Sequence, residues 1–229
     1  MPASLTVPES IRVAVASGAV TALRYLAAAP ATPFTLVLGH GAGAPQTSDF
    51  MVDFASALAQ RGISTVTFNF PYMEEGRRLP DRAPILEACF RAVIEAVRAR
   101  AVAGQSRLVI GGKSLGGRMA SHVAAAGLDG LAGLVFLGYP LHPPGQPEKL
   151  RAAHLARIRE PMLFVQGARD AFGTPEELAP ILAPLGPSVR VHVVADGDHS
   201  FKVPKRGPVS QPEVFAQVQD EIARWLGGL

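Results

Sequence analysis

The chain has 229 residues, 48% of them hydrophobic and 18% charged, with a formal net charge of +3. That length supports one sizeable core, and the modest charged fraction argues against an intrinsically disordered chain. Basic residues are dispersed rather than gathered in runs, which argues against nucleic acid as a partner, and the single cysteine, Cys89, rules out an intrachain disulfide.

The opening "MPASLTVPES" lacks the basic start and apolar core of a signal peptide. No apolar run reaches about 18 residues before a proline, glycine or charge, so no membrane span is expected and the protein reads as cytoplasmic. "IRVAVASG" and "VTALRYLAA" predict a pair of strands joined at a Ser-Gly turn. "FTLVLG" (34–39) is a continuous apolar run, followed by a glycine-rich loop and an amphipathic helix over 49–62. "ISTVTFNF" (63–70) predicts a strand, 83–101 a long helix and "RLVIG" (107–111) a strand. A helix over about 115–127, a strand at 131–138 and a helix near 148–157 come next. The pattern closes with a strand at 161–167, a helix at 175–183, a strand at 189–194 and a helix at 211–226. Apolar strands alternating with helices predict an α/β fold, with a mostly parallel sheet covered on both faces. With no internal repeat or linker, residues 1–229 read as one domain. Ligands of such sheets bind beyond the carboxyl ends of the strands, where every glycine-rich loop of this chain falls.

Two readings of those loops fail on spacing. A phosphate-binding P-loop ending in "GKS" (112–114) needs glycine at position 107, which is Arg107. "GHGAGA" (39–44) fits a loose dinucleotide fingerprint, but Pro45 and further loop residues separate it from the next helix, and the next strand ends in "FNF" with no acid for a ribose. No cofactor and no metal enter the reading. The pattern that remains is G-x-S-x-G at Gly112–Gly116, placed between an apolar strand and a helix. A serine on so sharp a turn needs small neighbours two residues away, and the helix that follows aims its free N–H groups at the site. Ser114 is thus the candidate nucleophile.

A serine nucleophile needs a base and an orienting acid. His199, in "ADGDHSF" after the last strand, is the candidate base; His122, His154 and His192 lie within helix or strand patterns and read as structural. His142, in the loop "YPLHPPG", is a secondary candidate for touching substrate. Asp170, at the end of the preceding strand, is preferred as the acid over Asp196 and Asp198, whose closeness to His199 in sequence suits them to the loop's own turn. Oxyanion donors are expected at the backbone N–H of Leu115 and of Ala42, with Gly43 as the alternative, while His40 braces the loop.

"HGAG", "GGKSLGGR", "GARD" and "GDHSF", in this order, resemble the α/β-hydrolase superfamily over essentially the whole chain. Within it, "FNFPYMEEGRRLPD" and "GGKSLGGRMAS" are similar to the small dienelactone-hydrolase-like proteins, related to the KANSL/Tex-type hydrolase-like proteins. The resemblance implies the α/β-hydrolase fold and a triad of Ser114, Asp170 and His199; dienelactone hydrolases proper carry cysteine where this chain has Ser114. The expected activity is hydrolysis of a small ester, thioester or amide, the alternative being a catalytically weak scaffold or binding protein. Arg77, Arg78 and Lys113 are candidates for recognising an anionic substrate, or else neighbours of Glu74, Glu75 and Asp81. The segment "YPLHPPGQPEKL" (139–150) is too short for a cap domain. An open cleft walled by loops 71–80 and 139–147, with Tyr72 and Phe201 beside a small-molecule substrate, is therefore expected to favour short acyl groups.

Overall fold

The computed structural model describes residues 7–27, 33–100 and 107–229. Three of the sequence readings extend beyond these: the opening decapeptide at residues 1–6, the second strand at Ala28 and the long helix at Ala101. The strands are β1 (Glu9–Val15), β2 (Gly18–Tyr25), β3 (Phe34–Gly39), β4 (Ser64–Phe68), β5 (Arg107–Lys113), β6 (Leu131–Leu137), β7 (Met162–Gly167) and β8 (Val189–Val194). They form one eight-stranded sheet in the order β1-β2-β4-β3-β5-β6-β7-β8. The β1–β2 and β2–β4 pairs are antiparallel, and the other pairs are parallel.

Residue choice follows position in this sheet. β3, β5, β6 and β7 lie inside the sheet, covered on both faces, so they are mostly apolar along their length. β1 stands at the edge and alternates, with Ile11 and Val13 buried between exposed residues. The helices are α1 (Asp49–Gln60), α2 (Pro71–Glu74), α3 (Ala83–Arg98), α4 (Leu115–Ala125), α5 (Pro175–Leu182) and α6 (Gln211–Gly227). α3 and α4 cover one face of the sheet through Phe90, Ile94, Met119 and Val123, while α1 and α6 cover the other through Phe54, Leu58, Val218 and Trp225. The start of α5 is set by a capping box, in which Thr174 Oγ1 accepts from Glu177 N and Glu177 Oε2 accepts from Thr174 N; such a cap is worth about 1 kcal/mol.

Two elements differ from the sequence reading. The helix expected near 148–157 is only a 3₁₀ turn at Leu155–Arg157. Its backbone groups are taken by tertiary partners instead: Arg151 N donates to Leu141 O at 2.7 Å, and Arg151 O accepts from the Tyr139 hydroxyl at 2.8 Å. The loop after β4 contains the unexpected short α2, which Pro71 opens from its first position.

Candidate functional site

Ser114 joins β5 to α4 with φ 50° and ψ −111°, a positive-φ conformation that costs a non-glycine residue energy. Backbone packing around it imposes that turn. A Cβ on Gly116 would lie 2.1 Å from Gly39 O, and one on Gly112 would lie 2.3 Å from the same oxygen. The end of β3 therefore presses directly on both sides of the elbow, and no side chain fits at either flank. This is the physical content of the G-x-S-x-G spacing. The chain turns from strand to helix at Ser114, so the first N–H groups of α4, Leu115's among them, have no intrahelical acceptor.

His199 reaches Ser114 from the loop after β8, which is held from several directions. Asp198 Oδ1 accepts from the backbone N–H of Ser200 and of Lys202, at 2.7 and 2.9 Å. The Arg169 guanidinium donates to Asp196 O, and Asp196 and Phe201 on either side of the histidine both have positive φ. Within this frame His199 Nε2 lies 2.8 Å from Ser114 Oγ, and Nδ1 lies 2.8 Å from Asp170 Oδ2. A carboxylate offers only acceptors, so Nδ1 carries the proton and Nε2 is left to accept from the serine hydroxyl. The Phe172 ring stacks on the imidazole at 4.2 Å.

Asp170 is buried, and each carboxylate oxygen has a further donor. Oδ1 accepts from Phe172 N and Oδ2 from Gln166 Nε2, both at 2.8 Å. Gln166, buried at the end of β7, also donates to Gly173 O and accepts from Tyr139 N. It locks the Asp170 turn to the end of β6. Asp196 and Asp198 stand in the turn itself; neither bonds to the imidazole among the described residues.

The loop 40–43 runs along the other side of Ser114. A Cβ on Gly41 would lie 3.9 Å from Ser114 Cβ. His40 is fully buried, with Nδ1 2.7 Å from Gly41 O, and Nε2 accepts from Phe70 N at 3.1 Å. Both ring nitrogens are thus engaged by a neutral imidazole, and burial pushes its pKa down to about 4. Tyr72 donates its hydroxyl to Ala42 O at 3.0 Å, which fixes the Ala42–Gly43 peptide, the one that carries the alternative oxyanion donor, Gly43 N–H.

A cavity of about 930 Å³ opens on Ser114 and His199. It runs between α1 and α6, where Phe50, Met51, Phe172 and Phe215 give it apolar walls. Asp53 and Gln219 meet across the two helices at 2.9 Å on its lining. These walls differ from the expected ones. Tyr72 lies buried behind the 40–43 loop, and Phe201 is fully buried against Phe50 and Phe54, one layer behind the lining. Arg77 lies at the surface, ion-paired with Glu75 and Asp81, and Arg78 is exposed outside the cavity. His142 is buried; its backbone N–H donates to Phe172 O, so it supports the loop that carries Asp170.

Lys113 does line the cavity, although nearly buried, and donates from Nζ to His199 O at 2.6 Å. Burial brings its pKa down to about 8, against the opposing pull of Asp170 and Asp198. Sequence reasoning missed Phe172, Gln166 and the α1 and α6 walls. Gln166 had a signal, being the one polar side chain in the apolar run "MLFVQG".

A serine on a strand-to-helix elbow, at the carboxyl edge of a mostly parallel eight-stranded sheet with helices on both faces, defines the α/β-hydrolase fold. The chain belongs to the alpha/beta hydrolase domain family, which it matches over residues 32–227. Among solved structures it is similar to an alpha-beta serine hydrolase homologue from Coxiella burnetii, at 19% identity and a TM-score of 0.75, with 97% of this chain and 99% of that one covered. A Xanthomonas campestris a/b serine hydrolase described as lacking a lid matches at 19% identity and a TM-score of 0.72, covering 99% of this chain and 97% of that one. Dienelactone hydrolase from Anabaena variabilis matches at 18% identity and a TM-score of 0.73, over 96% and 98%. Among the described residues no helix is long and apolar enough to cross a membrane.

Proposed function

We propose that this protein is a serine hydrolase acting on an ester or thioester, or a small amide, through an acyl-enzyme. The observation that carries the reading is the unbroken relay from Ser114 Oγ to His199 Nε2 and from Nδ1 to Asp170, opening on the α1–α6 cavity. In the first step Ser114 Oγ bonds to the acyl carbon as its proton passes to His199 Nε2. The carbonyl π electrons move to oxygen, and the backbone N–H groups of Leu115 and Ala42 receive the oxyanion. Asp170 steadies the imidazolium. The carbonyl then re-forms, the bond to the leaving group breaks, and Nε2 gives that group its proton. Water repeats the sequence on the acyl-serine, returning Ser114 and releasing the acid. No cofactor takes part.

The reading extends to a cytoplasmic, one-domain protein of the dienelactone-hydrolase-like branch, related to the KANSL/Tex-type proteins, with serine where dienelactone hydrolases proper carry cysteine. The volume and aromatic lining of this half-open cavity give room for a bulky or aromatic substituent beside the short acyl group expected of an open cleft. The test is labelling with a fluorophosphonate, which should modify Ser114 and leave Ser114→Ala untouched. A folded wild-type chain that neither labels nor turns over any ester of a panel from acetate to phenylpropionate would sink the proposal.

A further inference from the structure

On the α3/α4 side, away from the cavity of Ser114, lies a second, open depression of about 550 Å³. It shares no lining residue with the first. Its walls come from α4 and from the 150–157 segment that failed to become a helix, and they carry Arg118, Arg151 and Arg157. None of the three forms an ion pair among the described residues. Arg118 Nε is buried and has no hydrogen-bond partner there. Leaving a charged buried donor unsatisfied costs about 1–3 kcal/mol or more. Like charges gathered around one depression also repel each other.

The neighbourhood supplies little to offset this. Tyr139 and, after it, Glu87 from α3 pull the other way on Arg118, and Glu87 is already engaged by His122 Nδ1 at 2.7 Å. His154, which also lines the depression, is held by Ser121 Oγ at 2.7 Å and packs edge-on against the His122 ring. Burial first, and then its neighbours, the Arg157 and Arg118 guanidinium groups among them, bring the His154 imidazole down to about 4. The potential in the depression is therefore positive. Leu150, half-exposed, gives one wall an apolar surface.

We propose that this depression binds a phosphate-bearing small molecule, with Arg118, Arg151 and Arg157 around the phosphate and Leu150 against the organic group. A phosphomonoester offers three acceptor oxygens and close to two negative charges, which suits several guanidinium forks better than the two oxygens and single charge of a carboxylate. The depression is much larger than a phosphate ion, so the ligand carries an organic part. The site is separate from the hydrolase reading and stands or falls without it.

Titration calorimetry on the full chain, at physiological salt, with phenyl phosphate, inorganic phosphate and benzoate as probes, tests the site. Phenyl phosphate is expected to bind at least ~10-fold more tightly than either of the others, given the strength of charge-assisted pairs. Arg151→Gln/Arg157→Gln should weaken it by ~10-fold or more, two surface changes that leave the fold in place. Arg118→Lys keeps the charge, loses the fork and should weaken it too. Equal affinities for phenyl phosphate and benzoate, or no change in the double variant, would overturn the proposal. So would binding abolished by Phe215→Ala, which would put the ligand in the α1–α6 cavity.

Discussion

Ser114 stands between two regions built in opposite ways. On its elbow side, backbone meets backbone: Gly39, Gly112 and Gly116 approach so closely that a single methyl group at either elbow flank would collide with a carbonyl oxygen. On its cavity side, side chains border open space, and Phe50, Phe172 and Phe215 line it. The first region has no adjustable part, so change there is felt by the whole sheet. The second can exchange one ring for another at a cost confined to what it binds. Fixed geometry at the reacting atom beside an adaptable wall allows one fold to serve many substrates.

The sharpest way to break this comparison is on the elbow. Ser114→Ala should lower kcat by at least ~10⁴-fold with the melting temperature nearly unchanged, by the behaviour of triad deletions. Gly116→Ala should instead lose activity and soluble protein together, because its Cβ meets Gly39 O. Ester turnover, thermal melts and expression yield check both, and a well-folded, active Gly116→Ala would refute the rigid-elbow account. Next comes the acid. Asp170→Asn places an amide against Nδ1 and should lower kcat by up to ~10⁴-fold, while Asp198→Asn disturbs only the turn and costs far less. A larger loss in the Asp198 variant would reassign the acid.

The wall should answer more softly. Phe215→Ala is expected to raise KM for phenylpropionate esters by ~10-fold, about the value of one well-packed ring face, and to leave acetate esters nearly unaffected. Equal losses on both esters would mean that the cavity does not hold the substrate's bulky group.

Stability against pH comes next. Folding pushes the pKa of His40 from 6.5 down to about 4, so the unfolded chain binds the proton first. Stability is then lost as pH falls from about 6.5 through about 4, by roughly 3 kcal/mol in all. Lys113 acts at the other end: its pKa falls from 10.5 to about 8, so stability should rise with pH across that window. Thermal melts from pH 4 to 10 check both signs. The smallest effect belongs to Arg77, whose solvent-exposed pairs with Glu75 and Asp81 should leave the melting temperature nearly unchanged in Arg77→Ala.

What was legible in the sequence divides along the same line. The central strands, the elbow and the meeting of Ser114, Asp170 and His199 follow from local signals: apolar runs, glycines at fixed spacing, and polar residues just past strand ends. The cavity wall does not. Phe50 and Phe201 look alike in sequence, yet one lines the cavity and the other lies behind it, because their directions are set by helix packing and by the positive φ of Phe201. Tyr72 likewise reads as a pocket residue until its hydroxyl is seen to hold Ala42 O. The 148–157 segment has helix-forming residues, but Tyr139 and Leu141 claim its backbone groups.

The order of the strands has a consequence for the protein's synthesis. Ser114 and His199 are 85 residues apart in the chain. At about 5–20 residues per second, roughly 4–17 s pass between the emergence of the proposed nucleophile and that of its base. β3, β4 and β5 have all been made by then, so the elbow is able to form early while its serine stays an ordinary hydroxyl. On the proposed mechanism a nascent chain would be inert toward esters, and would gain its reactivity only when the loop after β8 folds back onto Ser114.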